Sequence, residues 1–130
     1  MALTIQETAE KFGISPYTLR YYESEGLIPK VQRNASGHRV YENEDIDWIS
    51  FITCLKSTGM PIAEIKRYIK LCEVGDSTVL DRKELLVAHK DRLLAKIKRL
   101  HESLDRIEWK IEHYEIVGKE LNLKLKELKS

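Results

Sequence analysis

With 130 residues, the chain is long enough for one compact domain, or for a smaller domain joined to an extended element, and too short for two independent domains. Its 22 Lys and Arg against 21 Asp and Glu leave a formal net charge of +1, so the overall balance names no polyanionic partner and any basic face must come from local segregation of sign. No apolar run approaches the ~20 residues that cross a bilayer, and the amino terminus lacks a basic stretch followed by an apolar core, which predicts a cytoplasmic protein with no membrane partner.

Thr4-Ile-Gln-Glu7 has the form of a capping box and opens a short helix carrying Ile5, Ala9 and Phe12, which Gly13 ends. Ser15 caps a second helix with Pro16 in its first turn, where a missing N–H costs nothing, and this helix runs through Tyr22 toward Gly26. Two short helices joined by Gly13-Ile14-Ser15 form a helix-turn-helix layout, the second helix being the one expected to read DNA. Ile28-Pro29 must then be extended, Asn34-Ala35-Ser36-Gly37 is a turn cluster, and His38-Arg39-Val40-Tyr41 alternates as a strand does, so this stretch predicts a two-stranded wing.

Asn43 is the expected cap of a third helix, with Ile46, Ile49, Ile52 or Thr53, and Leu55 on its apolar face and Gly59 closing it. Pro61 starts a fourth, carrying Ile62, Ile65, Tyr68, Ile69 and Leu71 up to Gly75. Beyond Thr78 the sequence is helix-forming without Pro or Gly until Gly118, which predicts a helix from about 78 to 116 and a short final helix folding back after Gly118. Its apolar residues repeat in heptads: Leu86, Leu93, Leu100, Ile107 and Tyr114 in one row, Ile97, Leu104 and Ile111 in the other, with Lys90 the polar exception. Such a helix, roughly 58 Å long at 1.5 Å per residue, cannot pack its whole seam on 75 residues of its own chain, so a second copy is expected to cover it, parallel or antiparallel. The fold class is thus mainly α: a winged helix-turn-helix over residues 1–75, then a coiled-coil dimerisation helix and short tail over 76–130.

Residues 16–39 hold Arg20, Lys30, Arg33 and Arg39 with His38 against only Glu23 and Glu25, a local excess suited to phosphates. On the second helix Tyr17, Arg20 and Tyr21 have the spacing of one groove-facing side, with Tyr22 expected to pack beside Leu19; Arg33 and Arg39 flank the wing turn. No phosphate-cradling glycine loop, HExxH or Cys-His pair of defined spacing is present, which argues against an enzyme, and a purely structural coiled coil would leave the first 75 residues without a purpose. No cofactor is expected.

Thr18-Leu-Arg-Tyr-Tyr-Glu23, Gly26-Leu-Ile-Pro29 and Gly37-His-Arg-Val-Tyr41 together resemble the MerR family of regulators, and the resemblance extends along the whole chain. It implies a homodimer joined by an antiparallel coiled coil, bound to double-stranded promoter DNA that it distorts so that RNA polymerase can use the same promoter. It further implies DNA contacts from Tyr17, Thr18, Arg20 and Tyr21, from Arg33, Arg39 and Tyr41 in the wing, and from Lys56 or Lys66.

The signal is read from fewer residues. Only a short tail follows Gly118, too little for a separate drug-binding domain. No Cys lies near the end of the long helix, where Glu112, His113 and Glu120 stand, and His89, His101 and His113 are twelve residues apart, so no metal site is expected. Cys54, within Ile52-Thr-Cys-Leu-Lys-Ser-Thr-Gly-Met-Pro61, resembles the NmlR- and AdhR-like branch of the family, which implies a thiol answering aldehydes, other electrophiles or redox change, with Lys56 favouring the thiolate. The alternatives are a structural Cys54 in a regulator answering a non-covalent ligand or a metal, and Cys72 is expected to be packing or a second thiol close to the partner's chain.

Overall fold

The computed structural model describes residues 2–129. The chain divides into two compact units, one ending at His89 and one beginning at Lys90.

The first unit follows its capping signals closely. Helix α1 (Ile5–Phe12) starts with the reciprocal pair expected: Thr4 Oγ1 accepts from Glu7 N at 3.1 Å and Glu7 Oε1 accepts from Thr4 N at 3.0 Å. Gly13 ends it at φ 65°, a left-handed conformation that glycine adopts without a Cβ clash. In α2 (Pro16–Ser24), Ser15 Oγ accepts from Thr18 N at 3.1 Å. Strands β1 (Gln32–Arg33) and β2 (Arg39–Val40) pair antiparallel, Gln32 opposite Val40 and Arg33 opposite Arg39. Asn34 Oδ1 closes their turn by accepting from the backbone N of Ser36 and His38, both at 3.0 Å. Just past the wing, Tyr41 and Leu3 exchange backbone hydrogen bonds of 2.8 and 2.9 Å, which tie the start of the chain to the exit of β2.

Helix α3 (Asn43–Ser57) begins one residue earlier than its sequence signal suggests, for Glu42 and not Asn43 occupies the cap. The cause is Asp45, whose Oδ2 reaches back to accept from Glu42 N at 2.9 Å. Helix α4 (Ile62–Val74) has Pro61 immediately before it, and a single 3₁₀ turn, Asp76–Thr78, leads into α5 (Val79–Lys129). Leu19, Leu27, Tyr41, Ile49, Ile52 and Ile65 are fully buried at the centre of the unit, drawn from α2, the wing and its approach, α3 and α4. Residues 79–89 of α5 belong to this unit: Leu86 packs on the edge of the core, and buried His89 places Nε2 2.7 Å from Thr58 Oγ1 at the end of α3.

The second unit is helix throughout its described residues. Gly118 does not end it, and no separate final helix folds back: α5 is one helix of 51 residues, about 76 Å long. One glycine costs a helix only about 1 kcal/mol relative to alanine, and strong helix formers flank Gly118 with no proline after it. The seven-residue row therefore continues past Tyr114 to Leu121 and Leu128, and Ile97, Leu100, Leu104, Ile107, Ile111 and Tyr114 are all exposed. No helix among the described residues is long and apolar enough to cross a membrane.

Candidate nucleic-acid interface

The turn between α1 and α2 sends α2 along the surface with Leu19 and Tyr22 pointing inward, so Tyr17, Arg20 and Tyr21 are left facing out. Tyr17 is 72% exposed. Thr18 is half-buried and its hydroxyl lies 2.9 Å from Ser15 Oγ, so this residue helps to cap the helix. Arg20, Arg33 and Arg39 line one concavity of about 580 Å³ together with Thr4, Ile5 and Gln6 of the α1 amino terminus, and with His38. The hollow brings three arginine side chains to one side of the unit, beside an α1 start whose first turn is already capped by Thr4 Oγ1 and the Glu7 carboxylate.

The three arginines differ in what they already hold. Arg39 Nε donates to Glu23 Oε1 at 2.7 Å, whereas Arg33 Nη1 donates to a backbone oxygen, that of Gly37, at 2.8 Å. Burial pushes the Glu23 carboxyl up, but the hydrogen bonds from Arg39 and from Val31 N, with the nearby Arg39 and Arg33 charges, outweigh it and hold the group below its ordinary value. Lys56 lies with Nζ 5.2 Å from the Tyr22 ring centre and 5.9 Å from that of Tyr21, a cation over two aromatic faces. Lys66 Nζ stands 3.7 Å from Glu25 Oε2.

Tyr41 requires a correction. Its side chain is 0% exposed and its hydroxyl is buried with no hydrogen-bond partner among the described residues, so it is a core residue that has no path to a phosphate. Burial, the largest influence, raises its pKa. The alternation of His38 to Tyr41 gave no sign of this, because the cover comes from elsewhere in the fold.

Cys54 is exposed on α3, contrary to what a small buried hydrophobe would be. Lys56 is not aimed at it: two residues apart on a helix means about 200° of rotation, and the ammonium is taken up by the tyrosine rings. The carbonyl of Cys54 accepts from Thr58 N at 3.1 Å, and the Thr58 hydroxyl lies 2.8 Å from the same oxygen. Cys72 is half-buried in a groove of about 500 Å³ lined by Ile28, Pro29, Trp48 and Ile69, with Arg82 Nη1 at 4.0 Å from its sulfur. Among the described residues no group of three His, Cys, Asp or Glu could hold a metal; His113 instead stacks on Trp109 with ring centres 5.5 Å apart.

Sequence reasoning passed over Glu23 and Trp48. Glu23 read as one of two acids diluting a basic stretch, yet it joins α2 to the wing, and Trp48 Nε1 donates to Leu27 O at 3.1 Å to fix the approach to β1. An acid kept inside a run of arginines was the available signal for Glu23.

Comparison with known proteins agrees with this architecture. The family model described as "MerR HTH family regulatory protein" matches residues 3–72, and "MerR, DNA binding" matches residues 46–109. An uncharacterised HTH-type transcriptional regulator of Haemophilus influenzae is 39% identical over 115 residues, covering 88% of this chain and 85% of its own. The HTH-type transcriptional regulator AdhR of Bacillus subtilis is 45% identical over 92 residues, 71% of this chain and 66% of that protein. Among solved structures, HiNmlR, described as a MerR family regulator lacking the sensor domain, bound to promoter DNA, superposes with a TM-score of 0.83 at 39% identity, covering 88% of this chain and 87% of that one. A MerR family regulator from Listeria monocytogenes gives 0.85 at 36% identity, with 98% of each chain covered. The chain therefore belongs to the MerR family: it is a winged helix-turn-helix, DNA-binding transcriptional regulator and not an enzyme.

Proposed function

We propose that the protein binds double-stranded promoter DNA as a homodimer and regulates RNA polymerase on the same promoter, in response to an aldehyde, another electrophile or a redox change at Cys54. The observation that carries the DNA part is the arginine-lined hollow beside the outward face of α2. Tyr17, Thr18, Arg20 and Tyr21 enter the major groove and Arg33 meets the backbone beside it, while Lys56 approaches a phosphate at the edge of the tyrosine pair. DNA contact belongs to residues 1–75 and dimerisation to 76–130. Leu86, Leu93, Ile97, Leu100, Leu104, Ile107, Ile111 and Tyr114 form the seam of an antiparallel coiled coil, Leu86 also touching its own core. Such a protein works in the cytoplasm, where promoters are.

Support for a signal read within the shared core comes from HiNmlR, which is described as lacking the sensor domain and spans nearly the same length. The exposed thiol of Cys54 is open to attack on a carbonyl carbon: the thiolate forms the S–C bond and the carbonyl oxygen takes a proton from water. Cys54→Ser is expected to bind DNA like wild type and to lose induction by formaldehyde in a promoter-driven reporter. Induction that survives the substitution would reject Cys54 as sensor and leave a second reading, in which Cys54 is structural and a non-covalent ligand occupies the groove beside Cys72, Trp48 and Ile69.

Tyr41 has no part in this interface. Tyr41→Phe removes a buried oxygen with no partner among the described residues, so the unfolding free energy is expected to hold or rise, by up to about 1 kcal/mol, with DNA affinity unchanged. A tenfold weaker complex would return Tyr41 to the DNA face.

A further inference from the structure

Two strands of two residues each make a hairpin too small to hold its own angle against the rest of the fold. Something outside the wing has to fix where it points. Glu23 stands in the last turn of α2, and its side chain is only 12% exposed. Its two oxygens go to different places: Oε1 accepts from Arg39 Nε in β2 at 2.7 Å, and Oε2 accepts from Val31 N, immediately before β1, at 2.8 Å. One carboxylate on the recognition helix thus holds both stems of the wing.

The same geometry divides the arginines. Arg39 has its charge matched at 2.7 Å and a side chain only 22% exposed, whereas Arg20 and Arg33 have no carboxylate within ion-pair distance among the described residues. A guanidinium already matched by a carboxylate releases no net counterion when a phosphate approaches; an unmatched one does. We propose that Glu23 is a positioning residue for DNA recognition, locking the wing to the recognition helix, and that Arg39 is its counter-charge and not a phosphate contact.

This deepens the DNA-binding reading above and rests on it. The two fail separately, because the reading fails if wild type shows no salt-dependent binding at all. The probe is a labelled duplex selected by the wild-type protein from a random-sequence pool, and affinity is measured across a salt series for wild type, Glu23→Gln, Glu23→Asp, Arg39→Gln and Arg33→Gln. Simple electrostatics and the clamp predict opposite signs for Glu23→Gln. Removing a negative charge beside DNA, and freeing Arg39, tightens binding if charge alone matters; loss of the clamp weakens it, by about tenfold for a charge-assisted bond of this type. Glu23→Asp keeps the charge but is too short to reach both partners, and is expected to weaken binding similarly. Arg39→Gln weakens binding with the salt slope preserved, while Arg33→Gln lowers the slope by about one. Tighter binding by Glu23→Gln, wild-type binding by Glu23→Asp, or loss of about one unit of slope in Arg39→Gln would each overturn the proposal. Thermal melts of all four variants report whether the fold persists; an Arg39→Gln that no longer melts cooperatively leaves the two Glu23 variants to decide.

Discussion

Leu100→Asp is expected to leave a monomer that binds its operator at least a hundredfold more weakly than wild type. Leu100 sits in the middle of the seven-residue row and is 60% exposed, flanked in the second row by Ile97 and Leu104, which are exposed too. Apolar side chains in that number along one stripe of a single helix have no cover from solvent in one chain, and each is worth about 1.5–3 kcal/mol when buried. A two-fold pair of helices meets the substitution twice, so two carboxylates enter the seam with no cation opposite them, at a cost of several kcal/mol each. Loss of pairing then removes the advantage of binding two half-sites with one molecule, since the second contact is no longer intramolecular. Sedimentation at the concentration where wild type is dimeric reads the first effect and titration of the operator reads the second. A Leu100→Asp protein that sediments as a dimer would reject the seam. A monomer that still binds with full affinity would instead separate dimerisation from recognition.

Local signals told most of the architecture. The Thr4–Glu7 box, Ser15 before Pro16, and Gly13, Gly59 and Gly75 each act within a few residues of where they stand, so the helix boundaries and the wing turn were legible from the chain. The heptad rows were legible for the same reason. What escaped were outcomes that depend on distant partners or on a balance of small terms. Tyr41 ends a stretch of alternating polarity and looks half-exposed, but Leu3 pairs with it from the start of the chain and the α3 core closes beneath it. Glu23 has nothing to hold until the wing has folded against α2. Gly118 breaks a weak helix and not this one, because about 1 kcal/mol is less than its strong helix-forming neighbours supply. Lys56 was placed near a thiol by sequence proximity, whereas helical geometry turns it toward the tyrosines of α2.

Adjacent residues on α2 make the remaining test, because the fold gives them opposite duties. Leu19 is 0% exposed among Tyr22, Leu27 and the α3 isoleucines of the same core cluster, and Arg20 next to it is open to solvent. Leu19→Ala is expected to cost about 2–5 kcal/mol of stability, since a cavity remains where the isobutyl group was and the short α2 cannot collapse into it without moving its outward face. For a domain of this size that is a fall of roughly 10 °C or more in the melting temperature. Arg20→Ala should leave the melt within about 0.5 kcal/mol and cost about 1–3 kcal/mol in operator affinity. Measuring both quantities for both variants separates presentation of the recognition helix from the reading it performs. If Leu19→Ala melted like wild type, the core described for α2 would be wrong, and if Arg20→Ala bound the operator unchanged, the arginine-lined hollow would lose Arg20 as a DNA contact.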